Sequence, residues 1–396
     1  MTRRGLAFAV AVLAAAGCGD RTPGPATIAR VDTLPTGVVR VTNTGAPAWT
    51  SATAWRLEED LRLGTATDEG PVAERFGGIG ALVADSRGWI YVLEEFSQEI
   101  RVFDPAGTFL HTIGGKGEGP GELTAARTMA IGAGDTLRVA DDGTMRYSTF
   151  APDGTFVSGG TRPIRGYVGF AATSLEDGRF VDWGPAFPDG RFGARAVYWP
   201  VVFAPGAARP DSLPPLQHTW TMLPSGRLQE MSFSGDLTLA VDRAGAIWFA
   251  HTQEYRIHRR SLAGDTTLVF TFPSAPAPLG ETEREYVRTR FSHLPDVLAE
   301  YLEGLPETRP IVRRILPDDA GHVFVFVDVD GAPAGSAVDV FREGGEYLGR
   351  MTLPTPLALS PGRPPTAYAT EDHLYVVVQD DLDVPYVSRL RIIQGR

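Results

Sequence analysis

The side chains of this chain that could do chemistry are carboxylates and guanidinium groups at matched places in a repeated text. One set, Glu94, Glu95, Asp141, Asp142, Asp182, Asp328, Asp330, Asp380 and Asp381, follows the second strand of successive repeats. A second set, Lys116, Arg127, Arg162, Arg165, Arg309 and Arg363, lies in the links from one repeat to the next. Alternated around one opening, the two sets make a polar funnel for a ligand carrying both charges, such as a peptide or a sugar acid. Phe96, Tyr167 and Trp183 stand beside them as stacking surface. The plainer reading is that these acids pair with the cations or accept backbone N–H groups in turns, as Asp does routinely.

Other chemistries find less support. A catalytic zinc needs three protein ligands and an open position. Of the 7 histidines, His322 and His373 hold equivalent strand starts and His251 a strand end, while His111, His218, His258 and His293 fall on outer strands or in an interrupting segment. No convergence is expected among them, and no metal or other cofactor is expected. There is no Gly-x-Ser-x-Gly elbow for a nucleophilic serine. The loop Gly114–Gly121 lacks the Gly-Lys-Ser/Thr ending and following helix of a phosphate cradle. A net charge of −11, with Lys116 the sole lysine, argues against nucleic acid, which needs a basic face to displace counterions.

The single cysteine, Cys18, follows Met1-Thr-Arg-Arg and an apolar stretch from Gly5 to Ala16. A basic start, a short apolar core and small residues mark a secretory signal, too short to span a bilayer as a stable helix. Leu13-Ala-Ala-Ala-Gly-Cys18 resembles the lipobox of bacterial lipoproteins, with Ala15 where that pattern usually has leucine. The resemblance implies residues 1–17 removed, Cys18 lipidated, and residues 18–48 serving as a flexible tether rich in Thr, Pro, Gly and Ala. It also implies a bacterial envelope location, on the outer membrane facing the periplasm or the cell surface. The alternative is a signal segment in which Cys18 is merely a small apolar residue. In either case no disulfide is available to the mature chain.

The elements that must position the charged sets come from a phrase that recurs six times, an Asp- or Gly-bearing turn followed by an aromatic and β-branched strand. Ala84-Asp-Ser-Arg-Gly-Trp-Ile-Tyr-Val92, Val241-Asp-Arg-Ala-Gly-Ala-Ile-Trp-Phe249 and Pro317-Asp-Asp-Ala-Gly-His-Val-Phe-Val325 are the clearest copies. Repeats of this size cannot bury their faces alone. Four-stranded units stacked as blades around an axis solve that problem, so the expected fold is all-β, a six-bladed β-propeller over residues 49–396. The last repeat lacks a fourth strand, and Ala54–Leu63 lies unassigned before the first. An open ring exposes two apolar sheet faces, so this N-terminal strand is expected to close it. Thr282–Glu303 breaks the pattern: Tyr286, Val287, Phe291 and Leu294 fall at helical spacing and Pro295 divides the run, predicting a helical insertion at about 280–304 between blades four and five.

Val102-Phe-Asp104, Gly107 and the loop Ile113-Gly-Gly-Lys-Gly-Glu-Gly-Pro-Gly-Glu-Leu123 resemble the NHL-type six-bladed propeller, and the whole chain resembles bacterial six-bladed propeller lipoproteins. NHL propellers serve as protein or RNA platforms, lyases and sensor modules, so the resemblance implies fold more than function. Calcium-dependent lactonase propellers use carboxylates and an asparagine, but the sole asparagine here is Asn43, in the tether. The reading at this point is a monomeric, envelope-tethered module that binds a peptide, protein or polar saccharide without turnover. A lactonase-like or lyase-like enzyme and a structural envelope protein are the alternatives.

Overall fold

The computed structural model describes residues 28–66, 70–164, 171–186, 195–205, 207, 209–219, 223, 231–357 and 365–395. They form six antiparallel blades around a common axis. Blade one is Ile79–Ala84, Ile90–Glu94, Glu99–Phe103 and Phe109–Gly114, counted from the axis outward. The innermost strands of the other blades are Ala126–Ile131, Thr173–Ser174, Leu237–Val241, Val312–Pro317 and Ala367–Ala369. Blade three is irregular: its long strand Arg195–Phe203 pairs outward with two short strands, Asp211–Ser212 and Leu216–Thr219.

There is no single central core. Apolar side chains lie in wedges between neighbouring blades, and each seam of the ring holds its own cluster. Trp248 and Phe341 are fully buried at the seam of blades four and five, and Tyr91 and Val139 at that of one and two. The seam between blades six and one is as apolar as the rest, joining Tyr375 and Val387 to Leu82 and Phe103. Strand Arg56–Leu63 pairs with Pro385–Ile393 as the outer strand of blade six. At Gly107, with φ of +84°, an added Cβ would fall 2.7 Å from a methyl of Leu61 on that strand, so the turn is glycine for both conformation and space.

The repeated phrase is turn chemistry. In blade one, Asp85 accepts the backbone N–H groups of Arg87 and Trp89, both at 2.9 Å, and its second oxygen accepts the Tyr91 hydroxyl at 3.1 Å. Asp242 likewise takes the Ala246 N–H at 2.7 Å and the Trp248 indole N–H at 2.8 Å. Asp318 takes the His322 N–H at 2.7 Å and meets its Nδ1 at 2.9 Å. One carboxylate thus fixes both the turn and the first aromatic of the next strand, which explains why they recur together.

The N-terminal segment departs from expectation. Residues 29–43, placed within a flexible tether by composition, form a hairpin of Ala29–Thr33 and Val39–Asn43 whose second strand adds in parallel to Thr266–Thr271. Blade four becomes a six-stranded sheet. Asn43 is buried there, donating to the carbonyls of Thr271 and Gly345, both at 3.0 Å, and accepting the Tyr347 N–H at 2.9 Å. The chain then crosses blade five, where Trp49 N–H donates to Leu348 O at 2.9 Å and the Trp49 ring stacks on Trp55 at 5.1 Å. A single segment therefore runs along the outer edges of blades four, five and six.

Helices Glu281–Arg290 and Pro295–Gly304 lie between the outer strand of blade four and the inner strand of blade five. Gly280 N–H donates to the Glu283 carboxylate at 2.7 Å, and Pro295 begins the second helix where a missing N–H is harmless. Val287, Phe291, Val297 and Tyr301 pack with Leu223, Met231 and Phe233 in a small separate core. Leu294, on the expected apolar stripe, is 41% exposed because the chain turns between the helices there.

Candidate functional site

The innermost strand of each blade pairs on one side only, so six strand edges face the axis. They enclose a shaft lined by residues of all six blades, with a cavity volume of about 200 Å³. A six-residue strand at about 3.3 Å per residue gives a shaft roughly 20 Å long. Its lining mixes small side chains such as Ala81, Thr128, Ala172, Ala240 and Ala367 with larger ones such as Met129, Leu239 and Arg314, whose guanidinium donates to the carbonyls of Pro365 and Ala367 at 2.6 and 3.0 Å. The turns after the second strands and the links between blades meet at one end, here called the upper mouth: Glu95 N–H donates to Gly78 O at 2.8 Å and Asp142 N–H to Ala125 O at 3.1 Å.

Most of the carboxylates singled out from sequence are consumed at that end by the fold itself. Glu94 is buried and accepts from the backbone N–H groups of Gly77, Gly78, Phe96 and Ser97 and from the Ser97 hydroxyl. Burial pushes its carboxyl up, but the bonds from Ser97, Gly78 and Gly77 outweigh that and hold it below the usual range. Asp141 repeats the device with Thr124, Ala125, Gly143 and Thr144. Asp328 accepts the Gly335 N–H at 2.8 Å and lies 3.6 Å from Arg313. Asp380 caps its own turn through Leu382 and Val384 and takes the Tyr386 hydroxyl at 2.9 Å.

Asp142 pairs with Arg162, which is 3% exposed in its side chain and also holds the buried Asp182 at 2.8 Å. Burial pushes the Asp142 carboxyl up, with Arg162 opposing. Trp183 is no stacking surface: it is fully buried, its side chain turned into the seam with blade four by strand alternation. Arg165, Tyr167, Arg363 and Cys18 lie outside the described residues.

What remains accessible at the upper mouth is compact. Glu95 and Arg127 form an ion pair lining the shaft, with side chains 28% and 34% exposed. Phe96, next in sequence, is 70% exposed, its ring laid against the backbone of Gly77, where an added Cβ would sit 2.6 Å from it. Lys116 is exposed in the neighbouring inter-blade loop. The opposite mouth, which the sequence did not single out, carries Arg243 and Asp319 at 3.4 Å and the Tyr368 side chain. Burial pushes the Tyr368 hydroxyl up to about 12.

Two histidines expected to lie apart come together. The rings of His218 and His251 stack at 5.7 Å, and His218 Nε2 is 3.2 Å from Asp236. The strand Leu216–Thr219 folds back beside blade four, which the irregular text of blade three concealed. Burial, reinforced by His251, holds the His218 imidazole down to about 4. Among the described residues no cluster of three or more His, Cys, Asp or Glu side chains could hold a metal ion. No described helix is long and apolar enough to cross a membrane.

A family profile described as a 6-bladed beta-propeller matches residues 76–162, which hold the strands of blades one and two. Among solved structures, a Bacteroides fragilis protein named as exported is similar at 13% identity over 87% of this chain and 98% of that one, with a TM-score of 0.50. A Bacteroides vulgatus protein matches at 11% identity over 87% and 100%, TM-score 0.49. A virginiamycin B lyase of Staphylococcus aureus matches at 12% identity over 82% and 83%, TM-score 0.41. No curated protein sequence gives a significant match. With the strand topology, the profile match makes this chain a six-bladed β-propeller.

Proposed function

We propose that this propeller is an exported, envelope-tethered binding module that takes a polar ligand at the upper mouth of its shaft, without turnover. The observation that carries the reading is an exposed aromatic, Phe96, beside an accessible ion pair, Glu95–Arg127, at the entrance of an open shaft. Concave sites with apolar surface and a few convergent polar groups are where ligands bind. Most of the other upper-rim acids, Glu94, Asp141, Asp142, Asp182, Asp328 and Asp380, are spent on backbone, hydroxyl and arginine partners, which argues for a scaffold rather than a reaction centre. In this reading Cys18 is the lipidated first residue, a helical insertion flanks the mouth, and an N-terminal strand closes the ring, supported by its pairing with Pro385–Ile393.

The test is affinity capture from a bacterial envelope extract by wild type, Arg127→Glu and Phe96→Ala. Rim charges govern encounter more than scaffold stability, so both variants should keep wild-type unfolding curves and lose capture. Capture unchanged in both variants, but abolished by Arg243→Glu at the opposite mouth, would overturn the assignment. Mass spectrometry of the mature N-terminus tests the anchor; an unmodified Cys18 or a retained Met1 refutes it.

A further inference from the structure

Among the described residues, three large apolar side chains stand further into solvent than any other: Leu382 at 78%, Val72 at 72% and Phe96 at 70% exposed. All three lie on the upper face, on two adjoining blades. Phe96 is in the turn after the second strand of blade one, Leu382 in the matching turn of blade six, and Val72 in the link from blade six to blade one.

None of them rides on a loose tip. The backbone N–H groups that Glu94 accepts hold the Phe96 turn. Buried Arg101, on the third strand of blade one, donates to the carbonyls of Ala73 at 3.2 Å and Arg75 at 2.6 Å and so fixes the short helix Val72–Glu74. Thr65 N–H closes that link on Glu74 O at 3.0 Å, and at its start Gly64 lies against Tyr386 of blade six, where an added Cβ would fall 2.6 Å from the ring. The Tyr386 hydroxyl donates to Asp380 at 2.9 Å, and Asp380 accepts the N–H groups of Leu382 and Val384. Polar fastenings thus hold all three turns, while the three apolar side chains take no part in any core cluster. Rigid backbone displaying apolar side chains that the fold does not use is a surface preorganised for a partner.

The charge around them has one sign. Asp381 and Asp383 flank Leu382, exposed, and Glu74 stands two positions after Val72; none of the three forms an ion pair with a described residue. Of the nearby cations, Arg101 is matched by Glu99, Arg127 by Glu95, and Arg75 donates to the Gly70 carbonyl at 2.8 Å, so acids remain in excess. Like charges would meet if this surface docked on a second copy of itself or on an anionic lipid layer. A partner that brings apolar side chains and cations together satisfies both features.

We infer that the upper face over blades six and one docks a protein segment that is both apolar and basic, with Leu382, Val72 and Phe96 as anchors and Asp381, Asp383 and Glu74 as the rim. This surface lies outside the shaft mouth and shares only Phe96 with the ligand site proposed above.

The test is calorimetric titration of the full chain with four short glycine-spaced peptides, built from leucine with lysine, leucine with glutamate, serine with lysine, and serine with glutamate, and with phosphatidylglycerol vesicles. The leucine–lysine peptide should bind about tenfold or more tightly than the other three, and the vesicles should not bind. Val72→Ser and Leu382→Ser should each weaken that binding about fivefold or more, the loss expected of an anchor, with unfolding curves unchanged. Asp381→Asn combined with Asp383→Asn should weaken it about twofold to fivefold and flatten its salt dependence; asparagine tolerates the φ of 60° at residue 383. Arg127→Glu should not weaken it. Peptide binding lost in Arg127→Glu but unchanged in Val72→Ser and Leu382→Ser would overturn the docking surface and leave the site at the mouth. Equal binding of the serine–lysine peptide, no binding of the leucine–lysine peptide, or vesicle binding in its place that Leu382→Ser removes would each overturn it, as would self-association of the chain that the same substitution abolishes.

Discussion

Replacing Asn43 by alanine should destabilise the propeller by about 2–4 kcal/mol, although composition places this residue in a tether. Its side chain makes three buried hydrogen bonds, two donated to the carbonyls of Thr271 and Gly345 and one accepted from the Tyr347 N–H, at 3.0, 3.0 and 2.9 Å. Each is worth a net ~0.5–1.5 kcal/mol, and the partners left behind are backbone groups that water reaches poorly once Asn43 is 3% exposed. The hairpin strand Val39–Asn43 and the seam of blades four and five should loosen together, since Thr271 belongs to blade four and Gly345 and Tyr347 to blade five. Equilibrium urea unfolding measures the loss, and hydrogen exchange at the amides of residues 39–43 locates it. Asn43→Asp, which keeps an acceptor for Tyr347 but aims a carboxylate at two carbonyls, should do at least as much harm. A change below ~0.5 kcal/mol, with exchange protection of the hairpin intact, would refute the account.

Acidification should weaken the fold through His218. Its folded-state pKa is depressed to about 4, so between the ordinary value of 6.5 and about 4 the unfolded chain binds the extra proton and stability falls as pH falls. The nearby Asp236 carboxylate tempers the effect, leaving ~1–3 kcal/mol, and unfolding curves of His218→Phe should lose that part of the pH dependence. Gly349→Ala should dislodge Trp49, since the new Cβ would fall 2.1 Å from its ring; a stability loss of about 1–3 kcal/mol and a red-shifted tryptophan emission are expected. Deleting residues 1–49 should lower stability while preserving one cooperative transition. Deleting residues 1–63 should abolish that transition, because it uncovers Pro385–Ile393 and takes Leu63 out of its seam, where each buried side chain is worth ~1.5–3 kcal/mol.

The six-bladed ring was legible because its turns are written locally. An Asp that caps its own turn and holds an aromatic four or six residues later leaves a recurring phrase, as at Asp85, Asp242 and Asp318. The same locality limited the reading of the site, which could say that such acids cap turns or pair with cations but not which partners they would take. Glu94 and Asp141 could be placed in upper-face turns, but nothing nearby in sequence says that Gly77 or Thr124, 17 residues away, will occupy their oxygens. Asn43 is the extreme case, with partners 228 and 302 residues distant. The alternation of Val39-Arg-Val-Thr-Asn43 was a usable strand signal, outweighed by the prolines and glycines around it. Phe96 and Arg127 remained candidates, because the side chain of neither is enclosed by a seam.

The route of the N-terminal segment decides how the ring answers tension. A pull entering at Ile28 loads the small hairpin first, where the bond from Thr44 N–H to Ile28 O at 3.0 Å opens before the rung of Ala29 opposite Asn43. It then meets the parallel rungs joining Val39–Thr42 to Leu268–Thr271, followed by the Asn43 bonds into two blades. The Trp49 fastening on blade five comes next, and Arg56–Leu63 only after it. The hairpin is therefore a mechanical fuse: a force applied at Ile28 is met outside the ring first, and the strand Arg56–Leu63 is loaded only after the earlier fastenings have given way.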